Sequence, residues 1–277
     1  MKTSKQNFIF LVISILFFSC EKTLDIKLPE SEKQIVVDGQ IVDRKGESFV
    51  KLSITNSFFS TDENQALSGA SVKVSDNLGN TFQFFEAQPG LYLPDENFEA
   101  KAGLQYQLKA IANGKIISAT STMLDSLDNL TFRYLRVKPN NPLLKEGFYV
   151  YAKISDQIGV DNFFRAEFLL NGNRINTGAK DMILYKDRFF KDLKNVEGLL
   201  KFWDKNDRIK IKSGDQLVIK VYNMSGKTFD YYQALQDIPN QGGVFGKNPS
   251  NIPSNISGGL GLFQASSLKK AVLNIKD

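Results

Sequence analysis

From Gln34 onward the chain is cut into short runs of Val, Ile, Phe, Thr and Tyr, with turn residues recurring about every 8–12 positions. That punctuation leaves little room for long helices and points to many short strands. The expected strands are Gln34–Val42, Phe49–Asn56, Ala70–Ser75, Thr81–Glu86, Gln105–Ala112 and Lys115–Thr122, with a shorter one at Leu91–Leu93. Val72/Val74, Phe82/Phe84 and Tyr106/Leu108/Ala110 alternate with polar residues, as strands with one buried face do. Asn113-Gly114 is a strong hairpin signal, because both residues tolerate positive φ. About 90 residues in this pattern fit an immunoglobulin- or transthyretin-like β-sandwich over 34–123.

A seam follows at Met123–Asn129, and strand texture resumes at Leu130–Val137, Phe148–Ser155, Phe163–Leu170, Arg208–Lys212 and Gln216–Tyr222. The one good helix spans 226–238, with Phe229, Tyr232 and Leu235 three apart, Ser225 as N-cap and Pro239 just past its end. Leu262–Ile275 returns to strand. The fold class expected is therefore all-β: the N-terminal sandwich followed by a second, mostly-β domain over 124–277 with one short helix.

Ahead of the sandwich, Lys2 and Lys5 precede an apolar core from Phe8 to Phe18. Ser19 then stands before Cys20, the only cysteine. A basic start, an apolar stretch of about ten residues and a small residue before the cut make a secretory signal. A cysteine at the cut makes it a lipoprotein signal, with Ser19/Cys20 the cleavage site and the Cys20 thiol the lipidation site. A secreted chain with one cysteine has no internal disulfide to form, which gives the thiol a reason to be modified. The signal occupies 1–19 and a polar tether 20–33. Removing the signal takes two lysines, leaving a net charge of about +3 with both signs interspersed, which argues against a nucleic-acid partner.

There is no histidine, so Ser-His-Asp and Cys-His catalysis and the usual zinc sites are removed. No phosphate-cradling glycine loop and no EF-hand spacing occurs, and neither a metal nor a cofactor is expected. Two features stand as binding candidates. Phe202 and Trp203 form an aromatic pair suited to a ligand or partner patch. The Gly-, Pro- and Asn-rich tail, with Asn248, Pro249, Asn255, Gly258, Gly259 and Phe263, forms a candidate partner-docking loop. For both, the plainer reading is internal packing. Ser126, in Asp125-Ser126-Leu127, matches a short O-glycosylation pattern.

Several ordered patterns resemble the family catalogued as domain of unknown function 4249. They are Cys20, Ile35-Val36-Val37-Asp38-Gly39, Val50 to Thr55, Gly69-Ala70 with Val72 and Val74, Gly90 with Tyr92, and Gly103 with Tyr106 and Leu108. They continue through Gly214-Asp215, Phe229-Asp230-Tyr231-Tyr232 and the closing Asn248-Pro249 to Phe263. The resemblance implies a Bacteroidota outer-membrane lipoprotein associated with a TonB-dependent transporter. It implies no catalytic residues. The expectation is a non-catalytic accessory protein assisting substrate capture or complex assembly, facing either side of the outer membrane. A structural or adhesive surface protein is the first alternative, and a hydrolase using carboxylates alone is the second.

Overall fold

The alternation along residues 35–122 folds one continuous sheet over onto itself. The structure is a computed structural model and describes residues 32–56, 64–125, 129–154, 162–186, 196–238 and 252–276. Ser19, Cys20, Ser126, Asn248 and Pro249 lie outside the described residues. The all-β expectation holds: 54% of residues are in strands and 8% are helical, so sheet pairing organises the molecule. No helix among the described residues is long and apolar enough to cross a membrane.

The first sandwich contains β1 (Ile35–Val42), β2 (Phe49–Ile54), β3 (Gln65–Ala66), β4 (Ser71–Asp76), β5 (Thr81–Gln88), β6 (Leu91–Leu93), β7 (Gln105–Ala112) and β8 (Lys115–Thr122). β1, β2 and β6 run into β5, from which β4, β7 and β8 continue. Inward residues from both ends of this path, such as Val37, Leu52, Val74, Phe84, Leu108 and Ile117, share one apolar cluster. The expected hairpin joins β7 to β8, with φ of 49° at Asn113 and 71° at Gly114.

The second half supplies β9 (Thr131–Val137), β10 (Gly147–Ile154), β11 (Phe163–Leu170), β12 (Asn173–Arg174), β13 (Ile183–Lys186), β14 (Val196–Asp204) and β15 (Gln216–Met224). After β15 come helix α1 (Gly226–Asp237), β16 (Ile256–Ser257) and β17 (Leu260–Asn274). β14, β10 and β9 form a three-stranded sheet. Its inner residues Phe148, Val150 and Trp203 share a core with Phe164, Phe168, Leu217 and Ile219 from β11 and β15. The Ser225 hydroxyl accepts from the Thr228 amide at 3.3 Å, so α1 starts at the cap expected for it.

One expectation needs correction. Arg208–Lys212 is irregular rather than a strand, because Ile209 and Ile211 reach the second core without ladder pairing. The third strand of the small sheet is instead β14, whose sequence is interrupted by Gly198 and Lys201. The last strand joins packing on both sides of residues 123 and 124. The first half of β17 runs parallel to β1, pairing Val36 through Val42 with Leu260 through Ser266. Its second half runs antiparallel to β15, from Ser267 to Asn274. Phe263 and Ala265 consequently lie in the first core, and Leu273 packs against the second. One strand is a structural member of both sandwiches.

Candidate functional site

Period-two alternation gives β1 two faces with different tasks. Ile35, Val37 and Ile41 enter the first core, which sends Val36, Asp38 and Gln40 to the opposite side. The same arithmetic on β11 buries Phe164, Ala166 and Phe168 in the second core and turns Arg165 and Glu167 the other way. On β15 it turns out Lys220 and Tyr222, and α1 adds Tyr231 and Tyr232 to the lining. These side chains enclose a cavity of about 600 Å³ between the two sandwiches.

A buried charge network forms one wall. Arg165 is ion-paired to Glu167, and Arg174 reaches the same Glu167 oxygen at 3.2 Å. The Tyr222 hydroxyl donates to the other Glu167 oxygen at 3.2 Å. Arg165 also donates to Gln40 Oε1 at 3.2 Å, and Gln264 donates to that oxygen at 2.9 Å. The guanidinium lies between two aromatic faces, 4.4 Å from the Tyr222 ring centroid and 4.6 Å from that of Tyr232. Lys220 pairs with Glu47 at 2.5 Å on the neighbouring wall. Strong mutual pairing is what allows ions this deep, since either charge alone would be costly to desolvate.

Asp38 is different. Its carboxylate has no hydrogen-bond or ion-pair partner among the described residues, although it faces the same cavity. By accessible area the Asp38 side chain is exposed, yet partial desolvation by the protein around it raises its pKa despite Arg165, Lys51 and Arg174 pulling the other way. Burial also pushes Glu167 up, but Arg165 and Arg174 outweigh it and hold the carboxyl below its usual range. For Arg165, burial alone would lower the pKa; Tyr232, Glu167 and Tyr222 reverse that and raise it. Tyr231 is pushed up to about 12 by burial, with Asp38 and Tyr232 adding to the shift. The result is a wall in which Glu167 is held by Arg165, Arg174 and Tyr222 while the Arg165 Nε has no partner among the described residues, facing one carboxylate left with acceptor capacity.

The residues singled out from sequence sit elsewhere. Trp203 is a core residue, edge-on to Phe168 at 5.1 Å, and Phe202 packs on Tyr149 at 4.4 Å on the other face of the sheet. The docking-loop residues that are described serve internal closure. Phe263 is fully buried, and Asn255 accepts from the Phe263 amide at 3.0 Å while donating to the carbonyls of Phe263 and Thr120. A Cβ on Gly258 would lie 2.3 Å from the Ile116 oxygen and one on Gly259 2.6 Å from the Ile35 oxygen, so both are there for close backbone approach. Asp38, Arg165 and Glu167 were missed as site residues. The available signal was two opposite charges, Arg165 and Glu167, spaced by two inside an otherwise apolar run.

Among the described residues no group of three or more His, Cys, Asp or Glu stands close enough to hold a metal ion. The family model for domain of unknown function 4249 matches residues 21–271. A search of curated proteins finds no match.

Proposed function

Starting from a chain that belongs to the domain of unknown function 4249 family over residues 21–271, we propose a lipid-anchored outer-membrane accessory protein that captures a small polar ligand for a TonB-dependent transporter. The observation that carries the capture reading is Asp38: an exposed carboxylate with no partner among the described residues, in a tyrosine-lined cavity of about 600 Å³ opposite the Arg165–Glu167 ion pair. Such a cavity suits a ligand that donates N–H or O–H groups to Asp38 and lays an apolar face on Tyr231 and Tyr232. Lys2, Lys5 and the apolar run ending at Ser19-Cys20 support the anchor, and acyl chains at about 0.8 kcal/mol per buried methylene hold a protein on a bilayer.

Engagement of Glu167 favours binding over chemistry. Its oxygens are taken by Arg165, Arg174 and Tyr222, which leaves no second free carboxylate beside Asp38. Carboxylate-dependent hydrolysis is the second reading. It is favoured by the opposite shifts of Asp38 and Glu167 within one cavity, a pattern that acid–base pairs share. Affinity purification of the full chain from its own membranes in mild detergent tests the leading reading. Co-recovery of a β-barrel transporter, and loss of membrane association in Cys20→Ser, are expected. Purification free of any transporter contradicts the proposed partner.

A further inference from the structure

Strand register places a charge where the second sandwich would otherwise continue its core. Arg136 of β9 pairs with Phe148 of β10, and Phe148 pairs with Trp203 of β14. Directly paired residues share a face, so Arg136 stands in line with two buried aromatics on the inner side of the sheet. Its Nε and Nη2 atoms are shielded from water and have no hydrogen-bond partner. Leaving guanidinium donors buried and unpaired is costly. Arg165 also has an unpartnered Nε, but its two terminal nitrogens are held by Glu167 and Gln40, whereas Arg136 has both Nε and Nη2 without a partner.

Arg136 lines a separate cavity of about 360 Å³ at the end of that sandwich, together with Lys138, Lys210 and Lys212 and the edges of Phe148 and Trp203. Of the nearby carboxylates, one is ion-paired, two accept from amides, and Asp215 also lies within electrostatic range of Arg136. Glu146 pairs with Lys205 at 2.7 Å, Asp204 accepts from the Asn206 amide, and Asp215 accepts from the Asn171 side chain and the Lys212 amide. Five cations still line the cavity against two carboxylates, Glu146 and Asp204, and Arg136, the one with unsatisfied donors, is the least exposed of the five.

We propose that this cavity binds an oxyanion carried on a partly apolar molecule, with Arg136 as the principal contact. The planar guanidinium fork matches phosphate or carboxylate oxygens, and the lysines add positive potential at the rim. Phe148 and Trp203 supply an apolar wall for the remainder of the ligand. The site is independent of the Asp38 cavity and of any transporter.

Trp203 is the only tryptophan in the chain, so its emission reports on this wall directly. The full chain is titrated at constant ionic strength with inorganic phosphate and with n-hexyl phosphate, using sodium chloride and 1-hexanol as controls. A saturable emission change with n-hexyl phosphate is expected, weakened at least tenfold in Arg136→Gln and several-fold in Lys212→Gln. A response to inorganic phosphate as well assigns recognition to the anion itself; a response to n-hexyl phosphate alone assigns it to the amphiphile. Emission that follows ionic strength, that 1-hexanol reproduces, or that is unaltered in Arg136→Gln overturns the proposal. Should Arg136→Gln not fold, unchanged affinity in Lys212→Gln overturns it instead.

Discussion

In the first sandwich, a buried tyrosine hydroxyl closes a loop. Tyr92 donates to the Leu67 carbonyl and accepts from the Ala70 amide, both at 2.9 Å, while Tyr106 accepts from the Lys101 amide at 2.6 Å. At the junction with the second sandwich, Tyr222 instead supports an ion: its ring lies against Arg165 and its hydroxyl donates to Glu167. The same residue type thus ties off backbone in one region and stabilises desolvated charge in the other. A core built only for stability has no need of the second arrangement, since well-packed apolar residues would serve as well or better. The contrast marks the junction as the place where stability is traded for a task.

Phe263→Ala should produce the largest effect. Phe263 is fully buried in the first core, on the strand that both sandwiches share. Its truncation is expected to cost about 3–5 kcal/mol. Thermal unfolding followed by near-UV circular dichroism should show one transition moving down as a unit. Two separated transitions would break the picture of sandwiches coupled through β17.

Glu167→Gln comes next, at about 3 kcal/mol near neutral pH, because Arg165 is left buried without its charge partner. The Glu167 pKa is depressed on folding, so its contribution is complete above the ordinary carboxylate range and fades as pH falls through the folded value. Denaturant melts across the acid range should therefore show the wild-type and Glu167→Gln curves converging at low pH. The paired replacement Arg165→Met with Glu167→Leu should recover most of the loss. A double variant as unstable as Glu167→Gln would show that the network is needed for folding rather than function.

Asp38→Asn should act in the opposite direction. The raised pKa means that the folded state holds a proton more tightly than the unfolded chain, so Asp38 detracts from stability once pH rises through that folded value. The variant should gain roughly 0.5–1 kcal/mol at neutral pH, a gain limited by water reaching the carboxyl, and the advantage should close in acid. Arg133→Ala should have the smallest effect. Its bidentate pair with Glu197 is out in solvent, and no change in the unfolding midpoint beyond error is expected in salt-containing buffer.

Much of the fold was legible because it is local. Alternation located β1, β2, β4, β5, β7 and β8, Asn113-Gly114 set a hairpin, and Ser225 started the helix. What escaped is long-range. Leu262–Ile275 reads as a strand, but nothing in its residues says that its first half runs parallel to a strand more than two hundred positions earlier. β14 was hidden because Glu197, Gly198 and Lys201 weaken the apolar pattern at a sheet edge. The cavity was partly written into the chain. Asp38 and Tyr231-Tyr232 lie in two of the patterns that carry the family resemblance, yet only folding brings them together. Arg165 and Glu167 look like interruptions of a strand until β1 and α1 are placed over them.

Native mass spectrometry of the full chain, released gently from its own membrane fraction, tests the capture site most directly. Wild type should retain a small polar molecule, and Asp38→Asn, folded and slightly more stable, should lose it. Equal retention by the two proteins, or no bound species on wild type, would contradict the role assigned to the cavity.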